Sequence, residues 1–224
     1  MSKLENFAYL KASNSNSKKA PLIVMFHGYG SNKEDLFDLR NIFGDRFDYL
    51  ALQGPVDLSH MGGQNSYAWF NLEFTDRGIR YNTEEIDPLI TKMVATLTDI
   101  KKRYAANRPL YVLGFSQGAM LCHALLLKAG HLIDAAACLS GRKVDELFTG
   151  KQDWKGLENK PVFISHGISD EVIPINVGGR AIRDFYKTSP VNMLYKEYNM
   201  GHGIDYECQR HLTTWLGKVF SGKL

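Results

Sequence analysis

Three short stretches, LIVMF at 22–26, LYVLG at 110–114 and PVFIS at 161–165, are apolar almost throughout. A strand with one face in water alternates polar and apolar residues, so runs without alternation must be covered on both faces. The strand-like runs are 7–11, 22–26, 49–52, 110–114, 135–139, 162–165 and 193–198. Segments of helical period lie between them. Ser31-Asn-Lys-Glu34 has the capping-box pattern and predicts a helix running to about Phe43. The segment 83–104 opens on acids (Glu84, Glu85) and closes on bases, as the helix dipole favours; 117–129, 178–187 and 204–220 complete the set. Strands alternating with helices predict an α/β fold in one domain spanning 1–224: a mostly parallel, doubly wound sheet with helices on both faces. The polar NSNSKK at 14–19 reads as a hairpin turn between the first two strands.

Residues 54–82 break the alternation. They show no clear period yet hold Met61, Tyr67, Trp69, Phe70, Phe74 and Tyr81. Aromatic content of this kind argues against disorder. A loop covering a binding site and a satellite cluster packed on the core are both open readings.

Composition removes several function classes. The net charge of +3 is too small for a nucleic-acid surface, and the one dense basic triplet, Lys101-Lys102-Arg103, complements the end of a helix. No apolar run approaches the roughly 18 residues of a membrane span. The N-terminus lacks the apolar stretch and small-residue cleavage site of a secretion signal. Cys122, Cys138 and Cys208 lie far apart without CxxC spacing and read as free thiols, buried in the case of Cys122 and Cys138, which suits a reducing cytoplasm.

Between strand 110–114 and helix 117–129 stands Gly114-Phe-Ser-Gln-Gly118. A Gly-x-Ser-x-Gly match gains weight in this strand–turn–helix context, where a sharp turn presents the serine and close packing excludes side chains at both glycines. Serine is a weak nucleophile that needs a base, and the base needs an orienting carboxylate. On this architecture the chain order is Ser, Asp or Glu, His. After Ser116 and a strand-end carboxylate only His202 and His211 remain, and His211 lies inside the last amphipathic helix. His202 directly follows the last strand between two glycines, so it is the expected base. Among the aspartates between them, Asp134 precedes a strand, Asp145 and Asp153 lie in a polar excursion and Asp184 is inside a helix. Asp170 directly follows a buried strand, with Glu171 as the fallback. The N–H of Gln117 is one expected oxyanion donor, and the N–H of Tyr29, in the loop after strand 22–26, is the second. Gly28-x-Gly30 also opens like a dinucleotide fingerprint, but Lys33 occupies the third glycine's place. His27 lacks partners at metal-ligand spacing and reads as a hydrogen-bonded structural histidine.

Taken together, FHGYGSNKEDL, QGP at 53–55, AWF at 68–70, GFSQGAM, HGISDEVIP and MGHGI give a chain that resembles the phospholipase/carboxylesterase family of α/β-hydrolases, over residues 21 to 216. The resemblance implies the α/β-hydrolase fold, a triad of Ser116, Asp170 and His202, and oxyanion donors at Tyr29 and Gln117. It also implies hydrolysis of a small-molecule acyl ester, lysophospholipid or thioester without cofactor or metal. The chain departs from the family at Tyr29, where an aliphatic residue is usual, and at Gly203, where an acidic or polar one is frequent. The leading expectation is a serine carboxylesterase; the alternatives are an acyl-protein or other thioesterase and, from another class, a non-catalytic acyl-ligand binder. Trp69, Phe70 and Met61 are the expected contacts to the acyl group, and an apolar rim near the site could support a homodimer.

Overall fold

The computed structural model describes residues 3–4, 7–13, 17, 19–61, 63–75, 78–144, 148 and 153–224. Its centre is an eight-stranded sheet formed by β1 (Lys3–Leu4), β2 (Phe7–Ser13), β3 (Leu22–Phe26), β4 (Asp48–Leu52), β9 (Leu110–Phe115), β10 (Ala135–Leu139), β11 (Pro161–Gly167) and β12 (Asn192–Tyr198). The spatial order is β1-β2-β4-β3-β9-β10-β11-β12. From β4 to β12 every pairing is parallel, whereas β1–β2 and β2–β4 are antiparallel. All seven runs read as strands from the sequence lie in this sheet.

Alternation along each buried strand divides the core into two layers. Leu22, Val24 and Phe26 of β3 point into a cluster with α2 (Thr83–Tyr104), α3 (Gln117–Ala129) and α4 (Gly179–Tyr186). Ile23 and Met25 point the other way, toward Phe43 of α1 (Arg40–Phe43) and Leu212 and Trp215 of α5 (Tyr206–Phe220). Both sets are essentially inaccessible, and each such side chain contributes roughly 1.5–3 kcal/mol of burial. α2 keeps the bounds read from the sequence; Asn82 caps it by accepting from Glu84 N at 3.0 Å.

Three expectations change. The strands flanking 14–19 do not form a hairpin, because β2 pairs with β4, which lies between it and β3; residues 14–16 and 18 are outside the described ones. The capping box at 31–34 does not form. Ser31 forms an isolated antiparallel bridge with Tyr67, whose N–H donates to Ser31 O at 2.8 Å and whose carbonyl accepts from Gly30 N at 2.9 Å, and the Ser31 hydroxyl donates to Asp35 instead. With Ser31 extended, the helix shrinks to a 3₁₀ turn at Leu36–Leu39 followed by α1. Finally, the described residues of the segment 54–82 include two small antiparallel pairs and a 3₁₀ turn at Ser59–Met61. β5 (Val56–Asp57) pairs with β6 (Tyr67–Ala68), and β7 (Leu72–Thr75) with β8 (Gly78–Tyr81). Strands of two to four residues are too short to print a period on the sequence.

Candidate active site

Ser116 sits between β9 and α3 with φ +53° and ψ −115°, a conformation a side-chain-bearing residue rarely adopts. Its N–H donates to Leu139 O at 2.9 Å and its carbonyl accepts from Met120 N at 3.1 Å. The turn is sharp because the backbones touch. A Cβ at Gly118 would collide with Phe26 O and His27 O, and one at Gly114 with the backbone of Gly118. This is the steric requirement that the two glycines of the motif satisfy.

Asp170 follows β11 in a turn that buries its carboxylate completely. Oδ1 accepts from Val172 N at 3.0 Å and Ile173 N at 2.8 Å. His202 follows β12 on a segment tied to the β11 turn by Ile168 N→Tyr198 O at 2.8 Å and Ser169 N→Met200 O at 3.1 Å. Ser140 Oγ, at the end of β10, donates to Gly203 O at 3.2 Å. The structure thereby brings the three residues together: His202 Nδ1 lies 2.8 Å from Asp170 Oδ2, and His202 Nε2 lies 2.9 Å from Ser116 Oγ. An ionised carboxylate only accepts, so Nδ1 carries the proton and Nε2 of the neutral ring is free to accept from the serine hydroxyl. Ser116 donating to His202, and His202 to Asp170, is an arrangement that can transfer the serine proton as its oxygen attacks.

Gln117 is the first residue of α3, so its N–H has no acceptor within the helix. Gly28 packs against Ser116, since a Cβ there would lie 3.4 Å from Ser116 Cβ, and Tyr29 follows it. His27 sets the direction of this loop. Its Nε2 accepts from Gly54 N at 2.9 Å, so the proton is on Nδ1, which donates to Gly28 O at 2.7 Å. In a trans peptide C=O and N–H point in opposite directions. With Gly28 O held by His27, the N–H of Tyr29 is turned away from that ring. Burial lowers the His27 pKa and keeps the ring neutral.

A cavity of about 120 Å³ adjoins Ser116 and His202. Its walls include Leu72 and Ile79 from the β7–β8 pair, Met120 of α3, and Val172 and Ile173 beside Asp170, with Arg142 as a cation. Tyr29 and Gln117 also face it. Trp69 and Phe70 do not: both are 1 % exposed and belong to the core. They act on the loop from behind. Trp69 Nε1 donates to His27 O at 2.9 Å; the Gln117 side chain accepts from Trp69 N and donates to Phe70 O, both at 2.8 Å. Met61 is 66 % exposed and reaches the site through Tyr29, whose hydroxyl donates to its sulfur at 3.9 Å. Leu72 and Ile79 could be sought in the aromatic-rich segment, and Val172 and Ile173 in HGISDEVIP. The Arg142 position carries no local signal.

All three cysteines are buried free thiols. Among the described residues no helix is long and apolar enough to cross a membrane.

The profile of the phospholipase/carboxylesterase family matches residues 8–220. A probable carboxylesterase, SOBER1-like, of Arabidopsis thaliana is 31 % identical over 108 residues, which span 48 % of this chain and 41 % of that protein. Acyl-protein thioesterase 1 of Kluyveromyces lactis is 26 % identical over 239 aligned positions, covering 94 % of this chain and 98 % of its own. The carboxylesterase of Bacillus cereus superposes with a TM-score of 0.80 at 19 % identity, covering 95 % of this chain and 94 % of the other, which establishes the shared fold. The chain has the α/β-hydrolase fold and belongs to the phospholipase/carboxylesterase family.

Proposed function

We propose that the protein is a cytoplasmic serine hydrolase of small carboxylic esters that works through an acyl-enzyme. The observation that carries this reading is the hydrogen-bonded chain Asp170–His202–Ser116 opening on a largely apolar cavity. His202 Nε2 takes the Ser116 proton as Oγ bonds to the ester carbonyl carbon. The oxyanion rests on the N–H groups of Tyr29 and Gln117. Collapse breaks the bond to the leaving alkoxide, which receives the proton from Nε2. Water then repeats the sequence on acyl-Ser116, giving the carboxylic acid and free serine.

The cavity favours small acyl groups. Its volume of about 120 Å³ is near the ~150 Å³ of an engineered apolar cavity that accepts benzene. A thioester is the second reading, favoured by the likeness to an acyl-protein thioesterase over nearly the whole chain; only the leaving atom changes. Ser116→Ala, assayed on p-nitrophenyl esters of increasing chain length beside a thioester, tests both. Turnover should fall by several orders of magnitude, and a fluorophosphonate should label the wild-type protein at Ser116 alone. Undiminished turnover in Ser116→Ala would overturn the role of Ser116 as nucleophile, and no labelling of folded wild type would favour a non-catalytic acyl binder.

A further inference from the structure

Asp170 faces two histidines. Its Oδ2 lies 2.8 Å from His202 Nδ1 and 3.3 Å from His166 Nε2, and the His166 and Asp170 side chains are both fully buried. His166 stands on β11, four residues before Asp170. Its Nε2 is also 2.8 Å from Ile173 O. A carbonyl oxygen only accepts, so Nε2 carries the ring proton and donates it to Ile173 O, with Asp170 Oδ2 in polar contact at 3.3 Å from the same nitrogen. Nδ1 is then the bare nitrogen, buried with no hydrogen-bond partner among the described residues. A second proton there would create a buried charge and an unsatisfied donor together. Burial accordingly lowers the His166 pKa. The ring is clamped in place: a Cβ at Gly179 would come within 2.6 Å of His166 Cβ, and one at Gly178 within 2.9 Å of Nε2. Besides Asp170 and His202, the ionisable group acting on it is Glu197 of β12, which accepts from Arg180 at 2.9 and 2.8 Å and from Tyr195 at 3.0 Å.

We propose that His166 is a positioning residue: its Nε2–H, held by Ile173 O and packed 3.3 Å from Asp170 Oδ2, keeps the Asp170 carboxylate in place and draws part of its charge away from His202. The role presumes the hydrolytic reading of Ser116, His202 and Asp170. Without this N–H, His202 would be the one side-chain polar group left against Oδ2. The carboxylate would then favour the imidazolium more strongly, depleting the neutral base on the acid side. The carboxylate would also lose one of the contacts that hold its rotamer, and with it some of the alignment that turnover needs.

His166→Phe keeps a ring without the donor, whereas His166→Gln keeps an amide N–H near the Nε2 position. In His166→Phe the acid limb of the kcat/KM profile should move to higher pH. Its kcat should fall on the order of ten-fold with KM nearly unchanged, and His166→Gln should restore most of both. Titration of the His202 imidazole by ¹H–¹⁵N NMR should show the same upward shift without any turnover. If Phe unfolds the chain, the shorter His166→Asn replaces it in the comparison with Gln. An unchanged His202 titration in folded variants would overturn the proposal, leaving His166 as a space-filler. If the NMR shift appears but wild type neither hydrolyses esters nor reacts with a fluorophosphonate, the hydrolytic reading fails and the coupling of His166 to Asp170 stands.

Discussion

The site has two halves built in different ways. Ser116, Asp170 and His202 stand on turns at the ends of β9, β11 and β12, each placed by the strand immediately before it. The other half, the His27–Gly30 loop with Trp69 and Phe70 behind it, is held by hydrogen bonds between residues 27 to 48 positions apart. In the first half each local turn aims one side chain of the hydrogen-bonded chain. In the second, buried side chains that do not face the cavity aim a backbone N–H. Damage to the two should therefore read out differently: lost chemistry in a stable protein for the first, lost stability and alignment for the second.

The largest effect is expected at Asp170→Asn. The amide keeps the size of the carboxylate but can leave His202 in the wrong tautomer, with its proton on Nε2. A serine hydrolase with this change loses on the order of 10⁴-fold in kcat. Ester turnover and the rate of fluorophosphonate labelling should both collapse. If turnover survives within ten-fold, Glu171 rather than Asp170 orients the base.

Gln117→Ala should do the reverse. Its side chain satisfies two buried backbone groups, Trp69 N and Phe70 O, and leaving each unpaired costs roughly 1–3 kcal/mol. For a chain of this size that is a drop of about 2–4 °C in Tm per kcal/mol. The backbone N–H of residue 117 remains, so kcat should fall far less than in Asp170→Asn. Gln117→Glu should lower Tm further still, since it keeps the acceptor for Trp69 N but sets a buried carboxylate oxygen against Phe70 O. A Tm unchanged in Gln117→Ala would mean that the 69–70 segment is held by packing alone.

The same division explains what could be read from the sequence. The buried strands LIVMF, LYVLG and PVFIS announce themselves by composition, and chain order with strand-end position singles out Ser116, Asp170 and His202 for the first half. The second half leaves no such trace. Ser31 has every mark of an N-cap, yet its backbone pairs with Tyr67, a contact across 36 residues that local propensity does not encode. Trp69 and Phe70 suggest an acyl groove because exposed and buried aromatics look alike in a sequence; only the fold turns them inward. The cavity wall comes instead from Leu72 and Ile79, single aliphatic residues in strands too short to show alternation. His166 precedes Asp170 in the chain, so chain order excludes it as the base, and its contact with Asp170 depends on the turn that brings residue 170 back over β11.

One buried histidine belongs to each half, His27 to the loop and His166 to the triad side, and both have pKa values lowered from 6.5 by burial. Above pH 6.5 each is neutral in the folded and the unfolded chain, and its contribution to stability is complete. As the pH falls below 6.5 the unfolded chain takes up protons that the folded one refuses, so stability declines until the lowered folded value is reached. Each group can contribute a slope of up to about 1.4 kcal/mol per pH unit. Urea unfolding between pH 7.5 and 5.5 should show this loss, and His27→Gln and His166→Gln should each flatten it, by at most about one proton. Equal flattening by the two variants would mean that the halves unfold as one unit. A smaller change in His27→Gln would mean that the loop opens, and its histidine is already protonated, before the triad side gives way.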